Sequence, residues 1–134
     1  MTVTLSPGVR KLFEEANFAH IATLMRDGSP QVSPVWVDLR GDLILVNTAE
    51  GRVKPRNVRR DPRVALSIFR QQNPYAHAVI RGRVVEITHE GADDSIDKLA
   101  KKYLGQDRYP FRQPGEQRVI FLIQPDQVTS SMTD

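Results

Sequence analysis

The sequence predicts a mainly β domain of the α+β class: a small six-stranded antiparallel barrel with peripheral helices. Three observations predict it. Short strand-like runs alternate with turn residues between residues 18 and 47. A long β-branched run over 75–88 and a continuous apolar run over 119–123 follow later. Three further segments carry helical features, and none is long enough to form a layer of its own. Closing such a sheet removes the exposed edges that an open sheet would carry.

Ser6-Pro7 is a helix start, with Ser6 as N-cap and Pro7 in the first turn. Val9, Leu12, Phe13 and Ala16 recur at helical spacing, and Asn17 ends the segment. Residues 18–25 read as the first strand. Asp27-Gly28 supplies the positive φ of a hairpin turn. Residues 31–39 form the second strand, and 40–42 turn the chain into the third, 43–47. A basic helix follows, with Pro55 confined to its beginning and Asp61-Pro62 closing it. Residues 64–69 are a fourth strand. The fifth, 75–88, contains Gly82, which marks a bend or bulge. Ile96, Leu99, Ala100, Tyr103 and Leu104 share one stripe of a third helix, stopped by Gly105. Residues 106–116 are a polar surface loop that shapes a substrate mouth. The last strand is 119–123, and the chain after Val128 is expected to fray.

Size and composition narrow the function. The 134 residues suit one domain, 1–134, with 40% hydrophobic and 26% charged residues. A net charge of +3 is too small to indicate nucleic-acid binding. There is no cysteine, which excludes disulfides, thiolate metal sites and cysteine nucleophiles. Residues 1–7 lack the pattern of a signal peptide, and no apolar run nears the roughly 20 residues that span a bilayer. A cytoplasmic protein without membrane insertion is expected.

The positive charge is local. Arg52, Lys54, Arg56, Arg59, Arg60 and Arg63 crowd into residues 51–64, with Asp61 the sole acid. A short basic helix between strands is either an anion grip, as for a phosphate, or a solvated charged face. Catalytic side chains are scarce. His20, His77 and His89 are scattered, with no metal-ligand spacing, and no nucleophile elbow or Rossmann glycine pattern occurs. No catalytic residue and no metal ligand is assigned. An anion grip without reactive side chains points to a cofactor that brings the chemistry. In 31–36, Val32, Pro34 and Trp36 share one face while Gln31, Ser33 and Val35 share the other, a strand able to meet a flat ring.

Four segments carry a resemblance: Ala19-His-Ile-Ala-Thr-Leu24, Asp27-Gly-Ser-Pro-Gln-Val-Ser-Pro-Val-Trp36, Lys54-Pro-Arg-Asn-Val-Arg-Arg-Asp-Pro62 and Ala78-Val-Ile-Arg-Gly82. Over about residues 12–128 the sequence resembles the split barrels of the pyridoxamine 5'-phosphate oxidase superfamily. It is most similar there to the small deazaflavin (coenzyme F420) oxidoreductases. The resemblance implies a split barrel that forms a homodimer, with cofactors between subunits. It implies Gln31, Val32, Ser33, Pro34 and Val35 beside the ring or ribityl chain, and Asn47 and Thr48 near the ribityl phosphate. Lys54, Arg56 and Asn57 match the phosphate-binding element, and Ala78 and Val79 lie on a strand near the cofactor. Arg52, Arg59 and Arg60 would meet the acidic tail of the deazaflavin.

The expected activity is hydride transfer from reduced coenzyme F420 to a small organic acceptor, with Ser33 or His77 as candidates to donate a hydrogen bond or proton to that acceptor. The alternatives are an FMN-dependent oxidase or reductase, and a flavin or tetrapyrrole carrier without turnover. The family's terminal Arg-Leu-x-Pro segment is absent from Phe121-Leu-Ile-Gln-Pro-Asp-Gln-Val128, which counts against vitamin B6 oxidation.

Overall fold

The computed structural model describes residues 3–132. Helix α1 (Pro7–Glu14) begins as expected: Ser6 Oγ accepts from the Val9 N–H at 3.4 Å. Val9, Leu12 and Phe13 are buried, whereas Ala16 lies beyond the helix and is exposed. Asn17 Nδ2 donates to the Leu12 carbonyl at 2.9 Å, covering an acceptor that the helix end leaves open.

Strands β1 (Ala19–Leu24), β2 (Pro30–Val35), β3 (Val37–Arg40) and β4 (Leu43–Ala49) come next, then helix α2 (Val53–Arg60). Strands β5 (Arg63–Arg70) and β6 (Asn73–Thr88), helix α3 (Ala92–Leu104) and strand β7 (Arg118–Ser130) complete the chain. Gly28 and Gly41 make their turns with φ of 87° and 60°. All strands form one antiparallel sheet in the order β2-β1-β5-β6-β7-β4-β3.

There are seven strands rather than six, because the run 31–39 breaks at Trp36. β2 lies at one edge of the sheet and β3 at the other. A single residue therefore carries the chain between the two edges, which brings them close without pairing them. The result is a sheet rolled on itself but not closed, a split barrel.

Helix α3 supports the break. Trp36 stacks on Tyr103 at 5.2 Å, with planes 6° apart. Tyr103 Oη accepts from the Val37 N–H at 3.1 Å and donates to the Asn17 carbonyl at 2.6 Å. Lys102 Nζ donates to the carbonyls of Val37 and Phe13. Burial pushes the Lys102 ammonium down to about 8 and the Tyr103 phenol up to about 12.

Two cores share strand β7. Val119, Phe121 and Ile123 point into the barrel with Phe13, Ile21, Ile44 and Leu66. Ile120 and Leu122 point outward and pack under Ile96 and Leu99 of α3. Burial on both faces explains the unbroken apolar run. Leu104 of the same helix is 41% exposed, so the stripe ends at Tyr103.

β7 also extends past the expected strand end. Thr129 and Ser130 pair with Val79 and Ala78, so the chain after Val128 continues the ladder instead of fraying. The pairing slips between Arg81 and Gly82, the expected bulge. A Cβ on Gly82 would lie 2.3 Å from the Gln124 carbonyl oxygen. The obstructing group is backbone, which cannot swing aside as a side chain can. Gly82→Ala is expected to lower the unfolding free energy by about 1–3 kcal/mol, read from denaturant midpoints at unchanged slope.

Candidate functional site

A groove of about 240 Å³ opens beside the edge crossing. Pro34, Val35 and Trp36 form one wall, and Asn47, Thr48, Arg52 and Lys54 another. Phe18, Ile96, Tyr109, Phe111 and Arg118 complete it. Its flanks are aromatic: Trp36 meets Tyr109 edge-on at 6.0 Å, and Tyr109 meets Phe111 at 5.7 Å.

The loop between α3 and β7 is fixed where it borders the groove. Asp97 Oδ1 accepts from the Tyr109 N–H at 2.8 Å, and Arg112 bonds both Asp93 and Asp97 at 3.1 Å. The loop expected to shape a mouth thus contributes Tyr109 and Phe111 to the wall.

Lys54 stands in the first turn of α2. Its Nζ donates to Ser33 Oγ on β2 at 3.1 Å, and no acidic partner pairs with it among the described residues. Burial, with Arg52 nearby, pushes its ammonium below the usual range. The first turn of α2 holds no acid, and its N-cap, Arg52, makes no side-chain cap. Open backbone N–H groups and an uncompensated ammonium face the same region, an arrangement suited to an anion. Thr48 Oγ1 is buried without a hydrogen-bond partner and lines the groove, and Gln31 Oε1 on β2 is likewise unpartnered. Such orphaned atoms fit a ligand with complementary polar groups.

Several neighbouring cations are committed within the chain. Arg59 makes a two-pronged pair with Glu50, 2.7 Å on each side. Arg60 bonds the Leu24 carbonyl and Asn57 Oδ1, and Arg63 bonds Asp61. Arg118 is buried: its Nε donates to Asn47 Oδ1 at 2.9 Å and its Nη1 to Glu116 at 2.8 Å, with its guanidinium over the Tyr109 ring. Arg52 reaches Glu116 at 4.0 Å.

The residues picked from the sequence separate into groups. Pro34, Val35, Asn47, Thr48 and Lys54 line the groove, and Ser33 touches it through Lys54. Asn57 turns inward, where its Nδ2 donates to Thr23 Oγ1 at 3.0 Å. Arg56 is exposed, outside the groove lining. Ala78 is buried, and His77 bonds the Tyr75 carbonyl away from the groove. Val32 and Val79 are 62% and 41% exposed, on the outer face of the sheet. Sequence reasoning missed Phe18, Tyr109, Phe111 and Arg118 as groove residues. Arg118 had one usable signal, a charge placed directly against a buried apolar strand.

Residues 5–132 match the family model of pyridoxamine 5'-phosphate oxidase, and the chain belongs to that family. Its members generally bind flavins such as FMN. Among solved structures, the chain is similar to an F420 reductase at 29% identity, covering 93% of this chain and 98% of that one, with a TM-score of 0.81. A conserved hypothetical protein from Mycobacterium tuberculosis shares the fold at 20% identity, with 95% and 84% coverage and a TM-score of 0.72. HupZ of Group A Streptococcus shares it at 17% identity, with 97% and 96% coverage and a TM-score of 0.70.

Asn57→Ala is expected to cost about 1–3 kcal/mol of stability by stranding Thr23 and Arg60, with ligand affinity changed far less, as a melting curve beside a binding titration will show. Glu50 gives a pH signature. Its bond to Arg59, helped by His89, holds its carboxyl at about 2, against 4.5 for the free group. The unfolded chain therefore takes up this proton first as pH falls. The stabilisation is complete above pH 4.5 and lost between 4.5 and about 2. Melting temperatures of Glu50→Gln should accordingly depend less steeply on pH in that window than those of the unaltered protein.

Proposed function

We propose that this chain is an oxidoreductase that uses reduced coenzyme F420 to transfer hydride to a small organic acceptor. The observation that carries the reading is Lys54: a half-buried ammonium without an acid partner, beside an open helix start, in an aromatic-walled groove. The similarity to an F420 reductase over nearly the whole chain supports it.

Lys54 and the first turn of α2 hold the cofactor phosphate, and Thr48 and Asn47 border its ribityl chain. Gln31, Ser33, Pro34 and Val35 set the plane of the ring. The deazaflavin supplies hydride chemistry when bound. The chain's own contribution is to hold donor and acceptor in one orientation and to exclude water with Trp36, Tyr109 and Phe111. No side chain acts as nucleophile. The outer face of β2, β1, β5 and β6, where Val32, Phe69 and Val79 are exposed beside Ala22 and Ala65, is the surface for a homodimer that completes the cofactor site. No helix of the described residues is long and apolar enough to cross a membrane, and the cysteine-free chain is assigned to the cytoplasm.

One observation favours FMN as the alternative cofactor. Arg59 and Arg60 are engaged within the chain, which removes part of the spare charge that an acidic tail would use. Absorbance or fluorescence titration with each cofactor separates the two. Coenzyme F420 is expected to bind the unaltered protein, and Lys54→Ala to weaken it by about tenfold or more. Tight FMN binding without deazaflavin binding would transfer the assignment to FMN.

A further inference from the structure

Among the described residues, Glu116 is the one acid paired with the arginines of the groove. It follows Gly115, whose φ of 76° turns the chain back toward β7. Its side chain is only 7% exposed, and so is held in place rather than swinging in solvent. One carboxylate oxygen bonds Arg118 at 2.8 Å and the other faces Arg52 at 4.0 Å. Both of these arginines line the same groove as Lys54. Burial works against ionisation, yet the hydrogen bond from Arg118 and the charges of both arginines keep the carboxyl below its usual range. Glu116 is therefore a fixed anion that holds two of the arginines lining the groove's cationic end.

We infer that Glu116 is a specificity-determining residue that limits the groove to ligands with a single phosphoryl group at Lys54 and rejects a directly attached second phosphate. The inference deepens the cofactor reading and rests on it for the placement of phosphate at Lys54. Its physical basis is local charge. Arg118 is neutralised by Glu116 and bonded to Asn47, so it offers a second anion little. Arg52 is shared with the same carboxylate. A second phosphate beside the first would find these two cations already claimed by a fixed carboxylate and would have to compete with it for them. Mononucleotide-type cofactors then fit, as does a phosphodiester whose next charges lie several bonds away. Dinucleotide cofactors joined by a diphosphate do not.

Inorganic phosphate and pyrophosphate test this without any redox ring. Both are titrated into the full chain, and backbone amide shifts of residues 52–54 and 116–118 are followed by NMR. In the unaltered protein, pyrophosphate is expected to bind no more than about threefold tighter than phosphate, despite its greater charge. Glu116→Gln should strengthen pyrophosphate by about tenfold and phosphate by less than about threefold. Glu116→Asp keeps the charge and should keep the rejection. Pyrophosphate binding more than about tenfold tighter than phosphate in the unaltered protein overturns the inference, and needs no variant to fold. Equal gains for both anions in Glu116→Gln, or no binding of either anion to any form, also overturn it. Lys54→Ala separates the two readings. If phosphate still binds that variant unchanged, the placement of phosphate at Lys54 fails, whatever the pyrophosphate ratio shows.

Discussion

Between Val35 and Val37 the chain leaves one edge of the sheet and joins the other. A break of this kind strips backbone groups of their ladder partners, and buried groups of that sort must be met elsewhere. Tyr103 and Lys102 meet them, and Trp36 fills the seam by stacking on Tyr103. This arrangement fixes where α3 docks, because its last turn must reach the seam. Placing α3 in turn sets the loop that follows it, through Asp93 and Asp97. The groove is thus bounded by elements that are all referenced to one crossing point.

The groove's electrostatics depend on subtraction rather than accumulation. The segment 51–64 looks strongly basic in the sequence. In the fold, Arg59, Arg60 and Arg63 are consumed by nearby acceptors. Lys54 keeps its charge free because, among the described residues, no acid reaches it and its only side-chain bond is to a hydroxyl. Desolvation raises the cost of leaving such a charge unpaired, which is the usual mark of a site awaiting a counter-ion.

Much of the fold was legible in the sequence. Ser6-Pro7, Asp27-Gly28 and Gly105 are local signals, and each acted locally. Gly82 was readable because a glycine inside a β-branched run needs a reason, here the close approach of Gln124. The seventh strand was not readable. Trp36 continues the alternation of its neighbours, and only a partner 67 residues away, Tyr103, makes it a break. The end of β7 was also hidden, since Thr129 and Ser130 are polar and owe their order to pairing with β6. At the site, Pro34 and Lys54 belong to two short motifs, the alternating 31–36 run and the basic helix, that show in the sequence. Phe18 and Arg118 come from distant segments whose convergence one chain alone does not signal, whereas Tyr109 belongs to the loop 106–116 expected at the mouth.

Strand β7 gives the molecule two hydrophobic layers that share a wall. The inner layer is sealed by the barrel and α1, while the outer one is covered by α3. Lifting α3 would uncover Ile120 and Leu122 yet leave Phe121 enclosed. Regions of this kind open as separate cooperative units below the global unfolding energy. Because Tyr103 and Lys102 of that helix also bond Val37, loss of the outer layer would loosen the seam between the sheet's two margins before the inner layer is touched.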